Sequence, residues 1–155
     1  MRKTASTPKG PTFSELSRDE SVALLARNDV GRIAFSFHDH VDIEPISYVY
    51  NDGWVYARTS LGAKLRTLRH HPWVAFEVDE VRTPLDWQSV VVHGTIYLLD
   101  PGRGGSDRDE YDLAVQVLRL ADADALTDSD ATPHRQALFR IHADDITGRR
   151  ATPVD

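Results

Sequence analysis

The chain of 155 residues contains no cysteine and carries a formal net charge of -6. That length gives one domain with a single core, and the missing thiols exclude disulfides, thiolate metal sites and cysteine nucleophiles. The acidic balance argues against bulk nucleic-acid binding, which needs clustered Lys and Arg. No run approaches the roughly 20 apolar residues of a membrane-spanning helix. Residues 1–11 carry Arg2, Lys3 and Lys9 without an apolar stretch, so they do not read as a secretory signal. A cytoplasmic protein is expected, with neither nucleic acid nor membrane as partner.

Residues 1–12 are polar and read as an N-terminal tail. Ser17-Arg18-Asp19-Glu20 has the form of a capping box, so a helix is predicted to open there, with Leu16, Val22, Leu24 and Leu25 as its apolar face. Asn28 to Gly31 ends it. From Val30 the pattern changes to period two, and Ile33, Phe35 and Phe37 mark one buried face of a strand. His38-Asp39-His40 reads as a tight polar turn rather than a metal site. A second strand runs from Val41 to Tyr50, and Pro45 within it requires an edge, a bulge or a break. Asn51-Asp52-Gly53 is a strong hairpin signal, and Trp54 to Arg58 completes a meander.

A short helix is predicted over Ala63 to His70, stopped by Pro72. Trp73 to Val78 and Trp87 to Leu99 read as further strands, the second interrupted at Gly94 by a bulge or sharp coil point. Asp100 to Asp109 reads as a loop, Tyr111 to Leu120 as an amphipathic helix, and Asp122 to Thr132 is ambiguous. Ala137 to Ile146 is the last predicted strand. Strands joined by short turns, without βαβ alternation, indicate a mainly β fold: an antiparallel barrel with flanking helices. The expected domain covers residues 13–150, with residues 151–155 as a C-terminal tail.

Two stretches carry candidate chemistry. In Arg58-Thr59-Ser60-Leu61-Gly62-Ala63-Lys64 a strand ends in a cation and two hydroxyls, passes a glycine and enters a helix. Such groups can converge on a phosphate, or they can be an ordinary capped surface helix. Lys64, Arg66, Arg69, His70 and His71 form a basic patch that suits one phosphate better than a duplex. In Trp87-Gln88-Ser89 an indole, an amide and a hydroxyl open an apolar strand. These groups can pack on and hydrogen-bond a heteroaromatic ring, or they can be a core aromatic beside solvent-facing polar groups. No GxSxG, HExxH, GxGxxG or P-loop motif occurs, and no metal site is expected.

The ordered set of segments Val30 to Phe35, Glu44 to Tyr50, Tyr56 to Lys64, Leu68 to Val78, Trp87 to Gly94, Phe139-Arg140-Ile141 and Ile146 to Arg149 resembles the pyridoxamine 5'-phosphate oxidase-like proteins. These are split barrels that bind flavin mononucleotide (FMN), and the subgroup nearest in pattern includes nitroimidazole-resistance-type flavoproteins. The resemblance covers about Leu16 to Arg150. It implies a split antiparallel β-barrel of the FMN-binding type, paired as a homodimer with flavin sites at the subunit interface. It also implies that Arg58, Thr59, Ser60 and Lys64 hold the ribityl phosphate, that Pro45, Ile46, Ser47 and Tyr48 lie along the isoalloxazine, and that Trp87, Gln88 and Ser89 reach the ring from the partner subunit. The implied function is a flavin-dependent oxidoreductase acting on a small molecule, with NAD(P)H as candidate reductant.

Departures from the pattern bear on the substrate. Family members that oxidise pyridoxamine phosphate have a C-terminal segment with substrate-binding Arg and His residues, which is not expected after Arg150. Ala57-Arg58 follow Tyr56 where some nitroimidazole-resistance-type members have His. A deazaflavin (coenzyme F420)-dependent reductase and a non-catalytic flavin carrier or sensor are the alternatives. Heme, with His71 or His93 as axial ligand, is a minor one.

Overall fold

The computed structural model describes residues 10–60, 62–103 and 105–154, without the side chains of Phe37, residues 62–64 and Arg103. The chain order is β1 (Thr12–Leu16), α1 (Arg18–Arg27), β2 (Val30–Phe37), β3 (His40–Asn51), β4 (Trp54–Thr59), α2 (Gly62–Thr67), β5 (Trp73–Thr83), β6 (Asp86–Leu99), α3 (Gly105–Leu118) and β7 (Ala137–Thr152). Among the described residues the strands form one antiparallel sheet in the order β1-β7-β4-β3-β2-β5-β6, and β6 also pairs with β7. That last pairing closes six of the strands into a ring.

Local chemistry sets the start of each early element. The Ser17 hydroxyl accepts from the Glu20 amide at 3.1 Å, and Glu20 accepts from the Ser17 amide at 3.2 Å, so α1 opens on the predicted capping box. Asp52 and Gly53 take positive φ of 46° and 83°, and this two-residue turn brings Asn51 opposite Trp54. His38 and Asp39 do the same, with φ of 47° and 63°, between Phe37 and His40.

Two strands change neighbours along their length, and these changes split the barrel. β3 pairs with β2 from His40 to Ser47 and with β4 from Tyr48 to Asn51. Pro45 therefore lies on a stretch with a single strand neighbour, as a residue without an N–H requires. β7 pairs with β6 along one edge. Its other edge takes β4 from Ala137 to His142 and β1 from Gly148 to Thr152.

The barrel interior is filled by Val55, Phe76, Val78, Val90, Val92 and Ile141, with Leu24 and Leu25 of α1. A second cluster lies outside the ring, where Ala114, Val117 and Leu118 of α3 cover Tyr56 and Leu138. Covered on both faces, β4 is buried along nearly its whole length.

Several boundaries differ from the sequence expectation: β5 runs on to Thr83 instead of ending at Val78, and α2 ends at Thr67 instead of His70. Thr12–Leu16 is a strand, because the outer edge of β7 gives it a partner. β7 continues to Thr152 instead of ending at Ile146. α3 begins at Gly105, inside the stretch expected as loop, and its first turns are polar and mostly exposed.

Candidate functional site

The site forms where β3 passes from β2 to β4. On β4 alternate side chains take opposite faces. Val55 and Ala57 enter the barrel core, and Tyr56 joins the cluster under α3. Arg58 shares the Tyr56 face, so it leaves the barrel toward the segment after α3. Thr59 takes the other face.

Arg58 is therefore gripped by its own chain. One terminal nitrogen donates to Asp130 Oδ2 at 2.5 Å and to the Arg135 carbonyl at 3.4 Å. The other donates to Asp130 Oδ1 at 3.0 Å and to the Thr132 hydroxyl at 3.1 Å. Asp122 adds a carboxylate oxygen at 3.5 Å. The Asp130 side chain is only 2% exposed and Arg58 9%. Asp130 also accepts from the Leu126 and Thr132 amides, each at 2.8 Å. The Arg58 guanidinium and these amides hold the Asp130 carboxyl well below the usual range.

Two cavities meet beside this pair. The smaller, about 340 Å³, is lined by Val30, Glu44, Pro45, Ile46, Ser47, Arg58, Thr59, Ser60 and Arg135. The larger, about 390 Å³, is reached past Ser47, Arg58 and Arg135, which both share, and continues to Asp29, Tyr48, Leu118 and Asp122. The fold thus brings together Pro45, Ile46, Ser47, Arg58, Thr59 and Ser60 from the sequence-derived set. Tyr48 borders the larger cavity, but its ring packs edge-on against Phe76 and its hydroxyl donates to the Leu25 carbonyl at 2.6 Å. Burial, followed by the nearby Asp29 and Glu80 charges, pushes that phenol upward. The Lys64 side chain lies outside the described residues.

Trp87, Gln88 and Ser89 stand elsewhere. Trp87 lines a separate cavity of about 480 Å³ with Phe13, Ser14, Glu15, Arg149 and Arg150. Its indole N–H donates to the Pro84 carbonyl at 3.2 Å, and its ring lies 6.4 Å from that of Phe13. Among the described residues this cavity shares no lining residue with the other two. His71 and His93, the axial ligands of the heme alternative, are both exposed. Among the described residues no group of three His, Asp or Glu is arranged to hold a metal ion, and no helix is long and apolar enough to cross a membrane.

Sequence reasoning did not single out Asp130, Thr132 or Arg135. One local signal was present. Asp-Ala-Thr at 130–132 is an Asx-turn pattern, and the Asp130 carboxylate does accept from the amide two residues on. Its partner Arg58, 72 positions away, leaves no such trace.

A ring of antiparallel strands, with one seam opened into a polar groove, defines a split-barrel protein. The chain belongs to the pyridoxamine 5'-phosphate oxidase family, whose model matches residues 17–150. Among solved structures, an FAD-binding protein from Mesorhizobium loti is 29% identical with a TM-score of 0.70, over 90% of this chain and 99% of that one. The FAD binding protein from Mycobacterium smegmatis is 27% identical with a TM-score of 0.62, over 89% of this chain and 98% of that one. An uncharacterized protein of Rhizobium meliloti is 30% identical over 89 residues, which are 57% of this chain and 59% of that protein. That match therefore spans less than two thirds of the relative's length.

Proposed function

We propose that the chain binds a flavin, FMN in the first instance, in the groove beside β3, and acts in the cytoplasm as a flavin-dependent oxidoreductase on a small molecule. One observation carries this reading. A single cavity gathers Pro45, Ile46 and Ser47 of β3 with Thr59 and Ser60 from the end of β4. These are the two segments that the family resemblance assigns to the ring and to the phosphate.

The chemistry of the lining fits such a group. From His40 to Ser47, β3 has one strand neighbour, so its other edge carries backbone donors and acceptors suited to the polar rim of a flat heterocycle. Ile46 and Pro45 supply apolar surface, and the Thr59 and Ser60 hydroxyls suit an anionic tail. When bound, the flavin supplies the redox chemistry, and the protein's own part is to bind, orient and shield it. The same reading makes the protein a homodimer in which Trp87, Gln88 and Ser89 of one subunit cover the ring held by the other. Support for a flavin also comes from the FAD-binding relatives.

The test is fluorescence titration of the purified protein with FMN, FAD, a deazaflavin and hemin, alongside Ser47→Trp. Ser47 borders both cavities, so an indole there fills the groove. The expected result is FMN bound by the wild type, lost in Ser47→Trp with an unchanged circular dichroism spectrum, and reduced on addition of NAD(P)H. Preference for deazaflavin or hemin, or equal FMN binding by both proteins, counts against the reading.

A further inference from the structure

We infer that Arg135, and not Arg58, is the side chain that meets the anionic tail of the ligand in this groove. The inference rests on the flavin reading above and adds the residue that recognises the phosphate. The family resemblance puts Arg58 at the phosphate together with Thr59, Ser60 and Lys64, and Arg58 sits directly before the two hydroxyls. In the fold, its two terminal nitrogens have four N–H groups and meet four acceptors: both Asp130 oxygens, the Thr132 hydroxyl and the Arg135 carbonyl. Asp130 cancels its charge and Asp122 adds a second carboxylate at 3.5 Å. A phosphate approaching Arg58 would meet a locally anionic site with no terminal donor to spare.

Arg135 differs on each count. It is half-buried and lines both cavities. Among the described residues its guanidinium has no hydrogen-bond or ion-pair partner, although its backbone is pinned. Its amide donates to the Thr132 carbonyl at 3.0 Å, and its carbonyl accepts from Arg58. The Arg58–Asp130 pair is thus the brace that fixes the segment carrying Arg135 at the junction of the two cavities. Among the described residues the other charged side chains on these walls are the carboxylates of Asp29, Glu44 and Asp122. An uncompensated guanidinium is what an anion requires there, and its planar fork matches phosphate oxygens two at a time.

The experiment compares FMN with riboflavin, the same ring without its phosphate, by fluorescence quenching on the full chain. Wild type, Arg135→Ala, Arg135→Lys and Arg58→Met are measured. Loss of a charge-assisted contact predicts that Arg135→Ala weakens FMN by about tenfold or more and leaves riboflavin nearly unchanged. Arg135→Lys recovers part of the loss, and Arg58→Met weakens both ligands together. An unchanged FMN affinity in Arg135→Ala overturns the inference, and so does an equal loss of riboflavin or a phosphate-selective loss confined to Arg58→Met. A wild type that binds neither ligand overturns the flavin reading itself, and is thereby distinguishable.

Discussion

Gly94 and His142 run so close together that a Cβ on residue 94 would lie 1.9 Å from the His142 carbonyl oxygen. The β6–β7 register shifts between His93 and Gly94, where His93 opposes Asp145 and Gly94 opposes Ala143. The bulge coils both strands as the barrel closes. A methyl at Gly94 must push backbone rather than a flexible side-chain end, so Gly94→Ala is expected to lower the melting temperature sharply or yield no folded protein. Thermal denaturation followed by circular dichroism measures this, and a midpoint equal to wild type would show that the two strands can separate there.

The buried ion pair and an exposed one should respond differently to substitution. Asp130→Asn leaves Arg58, 9% exposed, with only the half-exposed Asp122 carboxylate at 3.5 Å as counter-charge, and a buried charge stripped of its close partner is strongly unfavourable. Arg27 and Glu80 also form a two-point contact, at 2.6 and 2.9 Å, but their side chains are 47% and 36% exposed, far more open to solvent than the first pair. Arg27→Ala is expected to cost less than about 1 kcal/mol, and Asp130→Asn clearly more. Parallel urea unfolding of the two variants makes the comparison.

Acid should weaken the fold within a defined window. Hydrogen bonding from Arg27, aided by Asn28, lowers the Glu80 carboxyl from its ordinary 4.5 to about 2. A carboxylate depressed in the folded state contributes stability that is complete above its unfolded value and is lost as pH falls through the folded one. The melting temperature is therefore expected to fall between pH 4.5 and about 2, with Asp130 extending the loss to lower pH. Glu80→Gln should flatten the upper part of that decline, which thermal scans across the range would reveal.

Tyr48 tethers α1 to β3 through its hydroxyl bond to the Leu25 carbonyl, in surroundings where the ring is 2% exposed. Tyr48→Phe keeps the ring and its edge contact with Phe76 but leaves that carbonyl without this donor. A loss of roughly 0.5–1.5 kcal/mol is expected, with flavin affinity little changed, since the hydroxyl faces the helix. Chemical denaturation and FMN titration of the one variant report both quantities.

The parts of the fold legible in the sequence are those fixed by neighbouring residues. The Ser17 capping box, the Asp52-Gly53 turn and the edge position of Pro45 depend on chemistry within a few positions. β1 does not. Thr12 to Leu16 has no strong alternation and is a strand because β7 offers an open edge beyond β4. The candidate site divides in the same way. Pro45, Ile46, Ser47, Thr59 and Ser60 line one cavity; Thr59 and Ser60 stand out in the sequence at a strand-to-helix turn, whereas only the family resemblance singles out Ile46 and Ser47. The commitment of Arg58 to Asp130 was not readable, because it is set by a segment 72 residues further on. Half of it could have been read from parity alone. Val55 and Ala57 are apolar and face inward, so Arg58 had to point away from the barrel.

The most direct test of the account is the identity of the small molecule carried by the purified protein. Absorbance between 350 and 500 nm (an order-of-magnitude range for an oxidised flavin, about 450 nm at its visible maximum) is followed by mass spectrometry of what denaturation releases. The account predicts a flavin. A colourless protein that releases nothing and takes up no flavin when offered it, or one that releases heme or a deazaflavin, would contradict it.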